Sequence, residues 1–345
     1  MEEPKTRDVG LDVVRSLAIL FVLVIHTAGS GLTQSPGSPD WWAAMLWGVP
    51  ARPTVPLFFM CSGALLLGRD VTPKRIFTHN MPRILCAMFA WAFLYRFAAL
   101  VDDGFTLAGL WDAVKRTLLL QHEFHFYFLH MLILVYAFLP AAAVFLRSAS
   151  RRETEYLLAL WFVTGILIPL LAGFWPFTLV EPLELRYKMG KAYAYLGYAV
   201  LGHYLRRYGG TIPRKWYALA LAGGLAFTFG GTAFFSLRRG ELYGAFLEGT
   251  SPGPMLMALG LFGLAVTQKG WPAPVVKVTG RLAQASFCIY LCHILFQRAF
   301  LRLGIDAGAS PCLLTIPLVS LLLLAASCLT WEVLRRVPIV KTYLI

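Results

Sequence analysis

Leu11-Asp12-Val13-Val14-Arg15-Ser16-Leu17-Ala18-Ile19-Leu20-Phe21-Val22-Leu23-Val24-Ile25-His26-Thr27-Ala28 decides the fold class. Most of these residues are apolar, and a run of about 20 is what an α-helix needs to cross a hydrocarbon core about 30 Å thick. Lys5 and Arg7 ahead of it give it the look of a secretory signal. It carries Arg15 and His26 within it, so it reads as a retained first span. Comparable runs follow at residues 49–67, 84–101, 124–146, 156–175, 192–205, 216–235, 254–266, 285–303 and 312–334. The predicted fold is all-α, a polytopic membrane helix bundle with about ten transmembrane helices.

Composition agrees. The 345 residues are 58% hydrophobic and 14% charged, where soluble domains average about 45–50% apolar and 25% charged; the mean hydropathy is +0.65. With no repeat and no soluble appendage in view, residues 1–345 read as a single transmembrane domain. A net charge of +13 in a soluble protein would suggest nucleic acid. Here the basic residues lie mostly in short connectors, where they set orientation and face anionic head groups. The expected partners are therefore membrane lipids and no nucleic acid. With a cytoplasmic N-terminus, roughly 20 of the 31 Lys and Arg residues fall inside and roughly 10 outside. Both termini are then cytoplasmic.

The six cysteines lie in or beside apolar runs and read as small buried hydrophobes. Cys288, Cys292 and His293 lack a second ligand pair, so no metal is expected. Pro50, Pro53 and Pro56 interrupt the second run. They predict a broken or re-entrant helix lining a cavity, because irregular backbone at membrane depth survives only where protein or water satisfies it. Trp41, Trp42, Trp47, Trp175, Tyr187 and Tyr193 are assigned to an aromatic interface belt.

An ionisable side chain inside a span costs a few kcal/mol, so it marks function by default. Arg15 and His26 are the strongest pair. Eleven residues apart on one helix, they are separated by three turns plus about 20° and by about 16 Å along the axis. One helix face thus carries a fixed cation at one end and an imidazole at the other.

Four stretches, taken in order along the whole chain, resemble the acyltransferase 3 family of integral membrane acyltransferases. The first is Gly10-Leu11-Asp12-Val13-Val14-Arg15-Ser16-Leu17-Ala18 with Val24-Ile25-His26, an Arg, ten residues, then a His on the first span. The second is Pro56-Leu57-Phe58-Phe59-Met60-Cys61-Ser62-Gly63-Ala64-Leu65-Leu66. His125-Phe126-Tyr127-Phe128-Leu129-His130 and Ser286-Phe287-Cys288-Ile289-Tyr290-Leu291-Cys292-His293 complete the set. The sequence departs from the family pattern where Asn80 and Ala87 replace an Arg and a Pro around Arg83-Ile84, and where Tyr127 replaces a Trp.

The resemblance implies a ten-span enzyme of the cell (inner) membrane that takes acetyl-CoA or another acyl-CoA from the cytoplasm and acylates a carbohydrate or glycolipid hydroxyl on the far side. On that reading His26 is the general base or a transient acyl carrier, because imidazole titrates near neutrality. Arg15 is its catalytic partner and, with Arg75 and Arg83, binds the donor's phosphates through fixed guanidinium charge. His125, Tyr127 and His293 serve the acceptor side. Two other classes compete: a transporter or flippase of a small anion or lipid-linked sugar, which also uses intramembrane Arg and His, and a non-catalytic membrane sensor on the same scaffold. A homodimer stays open.

Overall fold

A computed structural model describes residues 7–69, 71–121, 123–174 and 191–345. Lys5, Trp175 and Tyr187, and with them the far end of the fifth expected span, lie outside the described residues. The all-α expectation holds: 81% of the chain is helical, and no strand occurs among the described residues.

The helices are α1 (Val9–Leu32), α2 (Pro39–Gly48), α3 (Thr54–Leu66), α4 (Pro73–Asp102), α5 (Leu107–Leu118), α6 (Phe124–Ser148), α7 (Arg151–Leu171), α8 (Lys191–Tyr208), α9 (Arg214–Arg239), α10 (Pro252–Val266), α11 (Ala273–Arg302), α12 (Cys312–Leu334) and α13 (Pro338–Tyr343). Polar caps start several of them. Asp8 accepts from the Leu11 N–H at 3.2 Å, and Ser150 with Glu153 forms a capping box at α7, satisfying amides the first turn leaves without partners.

Among the described residues eight helical segments are long and apolar enough to cross a membrane, α10 being counted with the 3-10 turn ahead of it as Gly244–Val266. The two other expected spans are α3, with 13 residues, and α8, with 18. Thirteen residues rise only about 20 Å, short of the 30 Å core. The reason is the proline-rich segment: α2 stops at Gly48, residues 49–53 form turns, and α3 restarts at Thr54. This is the predicted break. Thr54 Oγ1 ties the restart to α1 by donating to Ala18 O at 2.6 Å.

Small residues hold α3 in place. A Cβ built on Gly63 would lie 1.8 Å from Ala199 O, and one on Gly202 would lie 2.0 Å from Met60 O. The backbones of α3 and α8 thus touch where neither tolerates a side chain, the close approach by which helices associate in lipid.

The outward face is apolar. On α12, Leu314, Leu318, Leu321 and Leu329 form a helical stripe, each more than half exposed, the reverse of a water-soluble surface and the face a bilayer covers. The amphipathic α5 was not expected from the sequence. It exposes Leu107, Trp111 and Leu118 while burying Ala113 and Thr117, the pattern of an interfacial helix. Trp41 departs from the expected aromatic belt: it is fully buried among Ala44, Met45 and Cys312, whereas Trp42 is partly exposed. Nearby, the Cys312 N–H donates to Asp40 Oδ1 at 2.7 Å and holds that carboxyl below its ordinary range.

Around α1 the neighbours alternate in direction. α11 runs parallel to it, since Arg15 meets Ser286 and His26 meets His293. α6 runs antiparallel, with His125 near His26 and Tyr136 lining a cavity with Arg15. Ion pairs mark both ends of the bundle: Arg206 with Asp8 at 3.1 Å at the end that holds Val9, and Arg298 with Glu123 and Arg302 with Asp102 at the other.

Candidate active site

Three histidines from three helices meet in the half of the bundle away from Val9. His26 comes from the last third of α1, His125 from the 3-10 turn that opens α6, and His293 from the middle of α11. Their ring centroids are 5.0 Å apart for His26 and His293, 5.3 Å for His125 and His293, and 6.4 Å for His26 and His125. Sequence reasoning had named all three, but as residues of separate motifs. The fold makes them one cluster.

Hydrogen bonding assigns one tautomer. His293 Nδ1 has two carbonyl oxygens in reach, Tyr290 O at 2.7 Å and Ile289 O at 3.2 Å. A carbonyl only accepts, so Nδ1 carries the hydrogen and Nε2 keeps a lone pair. That Nε2 has no partner, and neither ring nitrogen of His125 has one. His125 is held by its backbone, since the Tyr290 hydroxyl donates to His125 O at 2.6 Å. Buried polar atoms are nearly always paired, so three unpaired imidazole nitrogens in one place single out this cluster as the candidate site. Among the described residues no three His, Cys, Asp or Glu side chains are grouped so as to hold a metal ion.

The cluster borders a cavity of about 300 Å³ walled by His26, His125, Tyr127, Arg52, Glu248 and Tyr290, among others. A second cavity of about 220 Å³ shares Phe58, Phe128 and Tyr290 with the first and adds Arg15, Ser62 and Ser286. A third, of about 500 Å³, shares Arg15, Leu132, Tyr136 and Phe287 with the second and adds Arg83, His79 and Lys341. The three follow one another along the α1 face that carries Arg15 and His26. Phe58, Phe128 and Tyr290 form the partition between the first two, with Phe128 centroids 5.6 Å from Phe58 and 5.3 Å from Tyr290.

Arg15 is positioned by a hydrogen bond from Nη2 to Ser286 Oγ at 3.3 Å. Arg83 donates to Ile345 O and lies over the Phe287 ring. Arg15 and Arg83 thus reach one chamber. Arg75 is not brought there: it is exposed at the start of α4 and lines none of the three cavities. Lys341, from the short α13, lines the chamber instead. Tyr127 lines the outer cavity with its hydroxyl hydrogen-bonded to Tyr195.

Sequence reasoning missed Arg52 and Glu248. Arg52 sits inside the Pro50-Ala51-Arg52-Pro53 break already assigned to a cavity wall. The signal was a charged residue within that break.

Residues 8–334, nearly the whole chain, match the family described as an acyltransferase domain. The chain belongs to the acyltransferase 3 family. It is therefore a multi-pass membrane acyltransferase. No curated protein and no solved structure matches this acyltransferase significantly.

Proposed function

We propose that the protein moves an acyl group, acetyl in the simplest case, from coenzyme A at the cytoplasmic end of the bundle to a hydroxyl of a carbohydrate or glycolipid at the opposite face of the inner membrane. The observation that carries this reading is the sequence of adjoining cavities from Arg83 and Lys341, past Arg15, to the histidine cluster. An acyl-CoA is a phosphate-rich head on a long flexible arm ending in a thioester. Guanidinium and ammonium groups suit the head, the apolar middle chamber suits the arm, and His26 stands where the thioester would arrive.

In this mechanism His26 takes the proton of the attacking hydroxyl as the new C–O bond forms at the thioester carbonyl. The tetrahedral intermediate then expels the coenzyme A thiolate by breaking the C–S bond, and the thiolate recovers the proton from His26. The products are an ester and free coenzyme A. His125 and His293 pack beside the His26 imidazole, with ring centroids 6.4 and 5.0 Å from it. Phe58 and Phe128 swing aside to admit the thioester and otherwise keep the two sides apart.

The test is transfer of label from radiolabelled acetyl-CoA to endogenous glycan in membranes carrying wild-type protein, His26→Ala or Arg15→Ala. Removing a general base costs about 100- to 10,000-fold in rate, so His26→Ala should leave almost no product, and Arg15→Ala should raise KM for acetyl-CoA. Full transfer by His26→Ala would remove it from the chemistry. Wild-type membranes that neither bind nor consume acetyl-CoA would favour a transporter of a small anion or lipid-linked sugar.

A further inference from the structure

Arg52 lies within the break between α2 and α3, and its Nε is buried without a hydrogen-bond partner. Its guanidinium forms part of the wall of the His26 cavity together with the exposed Glu248 and the hydroxyl-bearing Tyr127. Glu248 stands within electrostatic reach of Arg52. Both belong to rigid surroundings. Arg52 lies between the buried Ala51 and Pro53, and Glu248 follows the buried Phe246 and Leu247, with its carbonyl accepting from the Ser251 N–H at 2.8 Å.

Neither residue is needed to anchor the donor, whose cationic chamber lies on the other side of the Phe58, Phe128 and Tyr290 partition. A cation with an unspent Nε–H donor and a carboxylate with only acceptors complement a group that both accepts and donates hydrogen bonds. Adjacent hydroxyls of a sugar are such a group. An anionic acceptor fits worse, because Glu248 repels it and Arg52 is already partly neutralised.

Resting on the acyltransferase reading above, we propose that Arg52 and Glu248 form the acceptor-recognition pair, holding neighbouring hydroxyls of an uncharged sugar so that one of them faces His26. Arg52, the deeper of the two, donates to the sugar. Glu248, at the mouth, accepts from it.

The experiment uses the full-length protein reconstituted in phospholipid vesicles, with radiolabelled acetyl-CoA as donor and methyl β-glucoside or methyl β-glucuronide as acceptor probes. Wild-type protein should prefer the glucoside. Arg52→Gln and Glu248→Gln should each raise the acceptor KM at least tenfold while the acetyl-CoA KM stays put, and Arg52→Lys should recover part of the loss. Glu248 is exposed, so its variant keeps the test valid if Arg52→Gln does not fold. An unchanged acceptor KM in both glutamine variants overturns the proposal, as does a wild-type preference for the glucuronide. His26-dependent hydrolysis of acetyl-CoA without transfer to the glucoside overturns the uncharged-sugar assignment alone. Absence of both hydrolysis and transfer in the wild type overturns the acyltransferase reading on which the proposal rests.

Discussion

Tyr290 joins several parts of the site through one side chain. Its ring forms part of the partition between the outer and middle cavities, its hydroxyl holds the His125 carbonyl, and its own carbonyl fixes the His293 tautomer. Tyr290→Phe keeps the ring and removes only the hydroxyl, leaving a buried carbonyl without its donor, at a cost of about 1–3 kcal/mol. The expected outcome is a lowered melting temperature in detergent together with a several-fold fall in kcat, because His125 is no longer held against His26. A variant as stable and as fast as wild type would show that His125 is positioned by packing alone. Sequence motifs flagged Tyr290, His125 and His293 separately. Their joint geometry was not legible, because 165 residues of chain separate Tyr290 from His125 and no local periodicity spans that distance.

At the scale of elements, two of the expected spans, α3 and α8, fall short of crossing by themselves. α3 is too short to cross alone, and α8 carries polar and aromatic residues that lower its hydropathy, so neither qualifies as a span by length and composition. They are held by each other, with Gly63 and Gly202 letting the two backbones meet. Adding a methyl group against backbone forces the helices apart, and such overpacking costs about 1–3 kcal/mol or more. Gly63→Ala and Gly202→Ala should each reduce the yield of monodisperse protein and lower the melting temperature, whereas Gly223→Ala, where a Cβ meets nothing within 4 Å, should not. Equal stability of all three would show that α3 and α8 are held by other contacts. The proline break ahead of α3 was readable in advance, because proline removes an amide donor wherever it stands. The amphipathic α5 was not, since a short connector with mixed charges and leucines has no signature that separates it from a loop.

At the scale of the whole molecule, the cavities give the bundle a direction. The cationic chamber of Arg15, Arg83 and Lys341 lies at the end where α1 begins and α13 closes, and the Arg52 and Glu248 mouth lies toward the other. The excess of Lys and Arg on the first side predicts that it faces the cytoplasm. A cysteine placed at Lys341 should therefore react with a membrane-impermeant maleimide only after the cells are opened, and one placed at Glu248 in intact spheroplasts, both in a background without the native cysteines. Reversed labelling would invert donor and acceptor sides. By itself the sequence determined the all-α membrane class, most of the spans, the Arg15 and His26 face, and the family. Apolar length, charge placement and helical periodicity act locally, and each can be read along one segment. Only the tertiary structure decided that three histidines share one cluster, that Lys341 rather than Arg75 joins Arg15 and Arg83, that Trp41 is core, and that Arg52 and Glu248 face the site. Those outcomes depend on which helix faces pack together, and in lipid, where apolarity alone does not select partners, close backbone approach and polar pairing make that choice.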